Sequence, residues 1–117
     1  MSINYADIIM SSNSSSNKVL LEGSGTLSVA ALPGAGETHT IATIAHNYGS
    51  DDLLFQVSTN GGPTNGVMLP WESNDGRNIQ WASIDSTNLY ITVNSNDSSG
   101  SGAPAYTINY YYRILVP

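Results

Sequence analysis

The chain has 117 residues and a formal net charge of −6, with only three basic residues, Lys18, Arg77 and Arg113. Three scattered cations cannot form the basic surface that binds nucleic acid or an anionic membrane, so neither is an expected partner. The absence of cysteine excludes disulfides and zinc–thiolate sites. No apolar run approaches the length of about 18 residues that a membrane-spanning helix needs.

The composition favours an all-β chain. Hydrophobic residues are 40% of the sequence, enough for a core, whereas charged residues are only 10%. Ser, Thr, Asn and Gly supply the remaining polarity, and they disfavour helices because they compete for backbone hydrogen bonds or lose the most conformational entropy. We predict a single antiparallel β-sandwich, jelly-roll-like, with about eight strands and little or no helix.

Residues 1–16 form a predicted N-terminal arm and linker ahead of a sandwich domain at 17–117. The run "SSNSSSN" (11–17) is a polar low-complexity segment typical of a flexible connection. Residues 3–10 are too apolar to remain in water, and we expect a strand there that packs on this subunit or on a neighbour. The start lacks the basic region and apolar core of a secretory signal, so synthesis in the cytoplasm without a signal peptide is expected.

Clusters of Gly, Asn, Asp and Pro divide the remaining chain into short segments. Turns are predicted at 22–25, 33–37, 47–52, 60–66, 74–78 and 94–104. Strands are predicted between them at 17–22, 25–31, 37–46, 52–59, 66–70, 78–84, 87–94 and 105–116.

Apolar residues alternate with a period of two in three of these strands, which predicts one buried face for each. The predicted inward residues are Leu27, Val29 and Ala31; Leu53, Phe55 and Val57; and Leu89, Ile91 and Val93.

The last predicted strand, within "AYTINYYYRILVP", carries three consecutive tyrosines. Its predicted core face consists of Tyr106, Ile108, Tyr110, Tyr112, Ile114 and Val116. Tyr111, Arg113 and Leu115 lie on the other face, and we interpret them as a contact with another subunit. The arm residues predicted to take part in such contacts are Ile3, Tyr5, Ile8 and Ile9.

Few residues are suited to catalysis or metal binding. His39 and His46 are the only histidines, and a separation of seven places them on opposite faces of a regular strand. The segment "ESNDG" (72–76) fails the register of an EF-hand. We therefore expect no enzyme activity, no cofactor and no metal site; a structural cation beside Asp51 and Asp52 stays an alternative.

Aromatic residues suggest an alternative function, because aromatic rings pack on sugars. Trp81 alternates with Ile79 and is expected to be buried, whereas Trp71 follows Pro70 at a strand end and is expected to be exposed. Trp71 and the loop residue Tyr48 are the predicted glycan contacts. The alternative is thus a carbohydrate-binding or host-receptor-binding β-sandwich module.

Two stretches resemble small bacteriophage virion structural proteins. Residues 37–62 resemble the strand, His-Asn-x-Gly loop and strand of those proteins, with His46, Asn47 and Gly49 at the loop positions. The closing "INYYYRILVP" resembles their terminal strand, which often reads Tyr-Tyr-Arg-Ile. The proline that usually follows the glycine is replaced here by "SDDLL", so the turn departs from the pattern.

The resemblance implies a non-enzymatic protein on the virion surface, either a capsid decoration or a tail-fibre or tip module. It implies self-association, usually as a homotrimer, and attachment to other virion proteins. His46 and Asn47 would then be structural, with side chains that hold the loop through hydrogen bonds to backbone groups. A host surface glycan is the partner expected under the alternative function.

Overall fold

The structure is a computed structural model that describes residues 18–60 and 66–117. These residues contain no helix and eight β-strands: β1 Val19–Val29, β2 Glu37–Ala45, β3 Leu54–Thr59, β4 Val67–Met68, β5 Trp71–Glu72, β6 Asn78–Ile84, β7 Asn88–Asn96 and β8 Tyr106–Leu115. The strands form two four-stranded antiparallel sheets, ordered β1-β8-β3-β4 and β2-β7-β6-β5. The predicted β-sandwich is confirmed; the strand predicted at 3–10 lies outside the described residues.

The strand pairing is jelly-roll-like in its outer part. Strand β1 pairs with β8 and β2 pairs with β7, so the pairs are nested along the chain as in a jelly roll. In the middle of the chain, β3 pairs with β4, β5 with β6 and β6 with β7, each of which is a pairing between consecutive strands. The chain crosses from β4 of the first sheet to β5 of the second at Leu69 and Pro70, which are joined by a cis peptide bond.

The core between the sheets follows from the alternation in β7 and β8. Leu89, Ile91 and Val93 of β7 are 0% exposed, as are Ile108 and Ile114 of β8. These residues form two adjoining clusters that join the sheets. Full burial of one such side chain contributes about 1.5–3 kcal/mol, so these five residues account for a large part of the stability.

Two apolar residues at strand ends are placed differently from the prediction. Ala31 is exposed and its neighbour Leu32 is buried, because β1 ends at Val29 and Leu32 instead forms an isolated bridge with Ala103. Val116 is exposed because it lies beyond the last residue of β8. The alternation of faces holds only where strand pairing fixes it.

Gly23 and Gly25 lie inside β1, so the turn predicted at 22–25 is wrong. They pair with Tyr112 and Tyr110 of β8 across the ladder. A Cβ atom on Gly23 would lie 2.6 Å from the Tyr112 hydroxyl oxygen, and one on Gly25 would lie 2.6 Å from Cζ of Tyr110. The tyrosine rings therefore occupy the space that side chains at these positions would need. Here glycine makes room for a ring and does not bend the chain.

The tyrosine run divides between the two faces of β8. Tyr110 and Tyr112 are half-buried against the core, with ring centroids 6.3 Å apart. Tyr111, between them, is 63% exposed on the outer face. Leu115 is only 1% exposed, so the expectation that it shares an exposed face with Tyr111 is wrong. The register between β1 and β8 shifts near Val19, which interrupts the simple alternation at that end of the ladder.

Replacing Gly25 by valine should destabilise the fold by about 1–3 kcal/mol, because the new side chain would overlap the Tyr110 ring. The control is Ser28→Val, an exposed position of the same strand, which should change stability by no more than about 0.5 kcal/mol. Urea unfolding of both variants measures the difference. Equal free energies of unfolding would contradict the packing described for Tyr110.

Candidate functional site

His46 joins the loop after β2 to the turn between β6 and β7. It is only 7% exposed. Its Nδ1 accepts a hydrogen bond from the Tyr48 amide at 3.0 Å, and its Nε2 lies 2.7 Å from the carbonyl oxygen of Asp85. Because Nδ1 accepts, Nε2 carries the proton and donates to that carbonyl. Both ring nitrogens are thus used to hold backbone groups of two separate turns.

The backbone of the same loop is bonded to the same turn. The amides of His46 and Asn47 both donate to the Thr87 carbonyl oxygen, at 2.8 and 3.1 Å, and the Gly49 amide donates to the Ser86 carbonyl oxygen at 2.9 Å. Asn47 has a φ of 57° and Gly49 a φ of 71°. Asn tolerates this left-handed region and Gly adopts it without strain, which explains the Asn-x-Gly spacing of the loop.

Asp85 begins the turn that His46 holds. Its carboxylate accepts hydrogen bonds from the Thr87 and Asn88 amides at 2.9 and 2.7 Å and from the Tyr90 hydroxyl at 2.7 Å. The Tyr90 bond above all, together with the two amides, lowers the pKa of Asp85 from 3.8 to about 2. The side chain of Asp85 therefore fixes the turn, while its carbonyl oxygen receives the bond from His46.

Tyr48 and Trp71, the predicted glycan contacts, are held in different parts of the sandwich. Tyr48 is exposed, but one face of its ring stacks on His46 and its hydroxyl donates to the Leu20 carbonyl oxygen at 2.8 Å. Trp71 is half-buried in β5, where it pairs with the buried Gln80. Among the ring contacts of the described residues, none joins Tyr48 to Trp71.

The second tryptophan and the second histidine lie on the second sheet, which also contains Trp71. Trp81 is half-buried rather than buried, and its ring meets that of the exposed His39 edge-on, with centroids 6.1 Å apart. His39 therefore belongs to the outer face of the second sheet, whereas His46 belongs to the loop that follows β2. Over residues 18–60 and 66–117, no three His, Asp or Glu side chains are grouped so as to hold a metal ion.

The outer face of the first sheet carries a surface of polar residues with exposed apolar side chains among them, which we call the Tyr111 face. It consists of Glu22 and Ser24 of β1, Leu54, Gln56 and Ser58 of β3, Met68 of β4, and Tyr111 and Arg113 of β8. Tyr111 is 63% exposed, Met68 57% and Leu54 44%. An open depression of about 490 Å³ lies between Tyr111 and Met68, and a 3.4 Å ion pair of Arg113 with Glu22 borders it.

The structure thus places two of the predicted contact residues, Tyr111 and Arg113, on this face, while Leu115 is buried. Met68 and Leu54 were not expected there. The outward position of Leu54 could be predicted from the alternation of faces in β3. The position of Met68 could not, because it depends on the pairing of the two-residue strand β4 with β3, which no sequence pattern indicates. The other predicted contacts, Ile3, Tyr5, Ile8 and Ile9, lie outside the described residues.

Comparison with known proteins gives no relative: no protein family, curated protein or solved structure matches the chain. In the described part of the chain, no helix is long and apolar enough to cross a membrane.

Replacing His46 by alanine should destabilise the fold by about 1–3 kcal/mol, because it removes a buried side chain and leaves the part-buried Asp85 carbonyl and Tyr48 amide without their shared partner. The same change at the exposed His39 is the matched control and should cost no more than about 0.5 kcal/mol. Thermal and urea unfolding measure both. A loss of stability as large for His39→Ala as for His46→Ala would contradict the stabilising role described for the His46 hydrogen bonds.

Replacing Asp85 by asparagine should lower the unfolding temperature at neutral pH. The folded-state pKa of Asp85 lies below its ordinary value, so its stabilisation is present above about pH 4 and is lost as the pH falls towards about 2. The difference between the wild type and Asp85→Asn should therefore shrink across this window in thermal unfolding scans. Asp51→Asn, in an exposed loop, is the control. A difference that stays constant over the window would refute the role of the ionised carboxylate.

Proposed function

We propose that the chain is a non-enzymatic structural module of a virion surface that self-associates through the Tyr111 face. The observation that carries the proposal is that two large exposed side chains, Tyr111 and Met68, line one depression on the outer face of the first sheet, with Leu54 exposed further along β3. Such side chains lose water when a second surface covers them, and Tyr, Met and Arg are enriched at protein interfaces.

The charge of the face favours a second copy of the chain as its occupant. Arg113 and Glu22 balance each other at 3.4 Å, so this surface is locally neutral although the whole chain carries −6. Two copies that meet at this neutral face do not bring their other, acidic surfaces together, so the repulsion between those surfaces is avoided.

The virion setting is supported by the two stretches that resemble virion proteins and by the structural roles of their residues in this fold. The His-Asn-x-Gly loop connects the end of β2 to the β6–β7 turn through hydrogen bonds to backbone groups. The Tyr-Tyr-Arg-Ile segment, which runs from Tyr111 to Ile114, supplies the core residues Tyr112 and Ile114 and the exposed Tyr111 of the proposed interface. A homotrimer that attaches to other virion proteins, as capsid decoration or as tail-fibre or tip module, is the assembly we propose from this resemblance.

The alternative function, a carbohydrate-binding or host-receptor-binding module, is supported by the exposed ring of Tyr48. One ring face is covered by His46, so a glycan would use the other face or the ring edge. Assembly and receptor binding use different surfaces, and one protein can carry out both.

Light scattering of the full chain should give a mass near three times the monomer mass of 12.4 kDa. Tyr111→Ser should weaken the association by about 2 kcal/mol or more, about 30-fold in the dissociation constant, if this residue is an interface hot spot. The control is Ile41→Ser, which removes a similarly exposed apolar side chain, 54% exposed, from the other sheet.

A monomer at every concentration would overturn the assembly proposal. An oligomer that Tyr111→Ser and Ile41→Ser weaken equally, or that only truncation of residues 1–16 disrupts, would move the interface away from the Tyr111 face. Circular dichroism of each variant separates loss of association from loss of folding.

A further inference from the structure

A cavity of about 470 Å³ opens at the end of the sandwich away from His46, where β1 and β7 end and β6 and β8 begin. Its volume lies in the range of about 300–1,000 Å³ that is usual for small-molecule sites. None of its lining residues belongs to the Tyr111 face or to the His46 loop. A ligand bound here would leave the proposed assembly surface free.

Three polar side chains inside the cavity form a connected network. The Tyr106 hydroxyl donates to Oδ1 of Asn78, and the Ser95 hydroxyl lies 3.2 Å from the same oxygen and 2.9 Å from the tyrosine oxygen. Because Oδ1 accepts from hydroxyl groups, the other end of the Asn78 amide is its NH₂ group. In the described part of the chain this NH₂ group has no hydrogen-bond partner, which leaves two donors for a ligand.

The remaining walls are apolar. Ala30 and Leu32 come from the segment at the end of β1, Ala103 and Pro104 come from the loop before β8, and the half-buried ring of Tyr106 completes the surface. The cavity thus combines an aromatic and aliphatic surface with a small set of convergent polar groups. This combination is typical of sites that bind small, partly polar molecules.

The rim of the cavity is held in place before any ligand arrives. Leu32 and Ala103 exchange backbone hydrogen bonds of 2.8 and 2.7 Å. The fully buried carboxylate of Asp97 accepts from the Ser99 hydroxyl at 2.6 Å and from the Gly102 amide. Gly102 has a φ of 86°, and a Cβ atom there would lie 2.7 Å from the Leu32 carbonyl oxygen, so this position requires glycine. A preformed rim lowers the entropic cost of binding.

The charges near the opening favour an uncharged ligand. Arg77 lines the cavity, and its guanidinium already lies 4.0 Å from the Asp75 carboxylate, which lines it too. This nearby carboxylate and the net charge of −6 oppose the entry of an anion.

We propose that this cavity binds one hexopyranose ring, an uncharged sugar unit. A pyranose has an apolar C–H face that suits the Tyr106 ring and Pro104, and it has ring hydroxyls that accept from the Asn78 amide and donate to the Ser95 oxygen. Free sugars and the terminal unit of a glycan share this chemistry. The assignment goes beyond the assembly function and does not depend on it.

The test is a titration of the ¹⁵N-labelled full chain with a panel of hexoses and their α- and β-methyl glycosides, followed by amide chemical shifts. Sugar concentrations of about 10 mM detect a dissociation constant of about 1 mM. Shifts should be confined to the segments 30–32, 77–78, 95–96 and 103–107. Binding of a methyl glycoside marks a glycan-linked unit, whereas binding of the reducing sugar alone marks a free sugar; either result supports the proposal.

Two variants test the site. Asn78→Ala removes the amide donors, and Ala30→Phe fills the cavity from an exposed position without touching the polar network. Each should raise the dissociation constant at least tenfold, with the amide spectrum itself reporting that the variant is folded. Thr43→Ala, at an exposed position of β2, is the control and should bind like the wild type.

Three results would overturn the proposal: no shift with any sugar of the panel, shifts centred on Tyr48 or Trp71, or binding that Ala30→Phe leaves unchanged. Cyclohexanol, which offers a six-membered ring with one hydroxyl, is the chemical control. If it shifts the same amides as strongly as the best sugar, the cavity binds apolar rings and the sugar assignment is wrong. None of these outcomes depends on the mass of the assembly.

Discussion

The fit of two tyrosine rings over two glycines is the constraint on which the first sheet depends. Tyr110 and Tyr112 fill the space above Gly25 and Gly23 on the neighbouring strand. The rings of β8 thus occupy the volume that side chains at these two positions of β1 would otherwise fill. Because the rings also pack against the clusters that join the sheets, the fit of rings over glycines sets both the register of the β1–β8 ladder and the thickness of the core. A shift by one residue would turn both rings to solvent.

The same constraint determines what the outer face presents. With Tyr110 and Tyr112 directed inward, the pleat directs Tyr111 outward beside Met68 and above the Arg113–Glu22 pair. The proposed assembly surface is thus coupled to the core by adjacent residues of one strand. The His46 loop and the sugar-sized cavity lie at the two ends of the sandwich, where the strands end. In these regions hydrogen bonds between loops, and not packing between the sheets, hold the backbone in place.

Alternation predicted the fold wherever one face of a strand is buried, as in β7, where Leu89, Ile91 and Val93 are inward. The rule that clustered glycines mark turns failed at Gly23 and Gly25, because a glycine that accommodates a ring from another strand has the same local sequence as a turn. The His-Asn-x-Gly loop was visible in the sequence as a motif, but its partner, the turn at Asp85, is distant in the chain. The cavity was not predictable, since Asn78, Ser95 and Tyr106 are ordinary strand residues until the fold brings them together.

The central position of β8 also determines the order in which the molecule can form. Strands β6 and β7 are joined by the short turn at Asp85 and can pair as soon as both exist, because closing so short a loop costs little entropy. The first sheet has only the β3–β4 pair as a local contact, because β1 and β3 both pair with β8, which follows the other described strands in the chain. Until β8 is present, β1 lacks its pairing strand and the tyrosine rings that cover Gly23 and Gly25. Folding on the ribosome therefore produces one sheet early and completes the sandwich only after β8 has emerged.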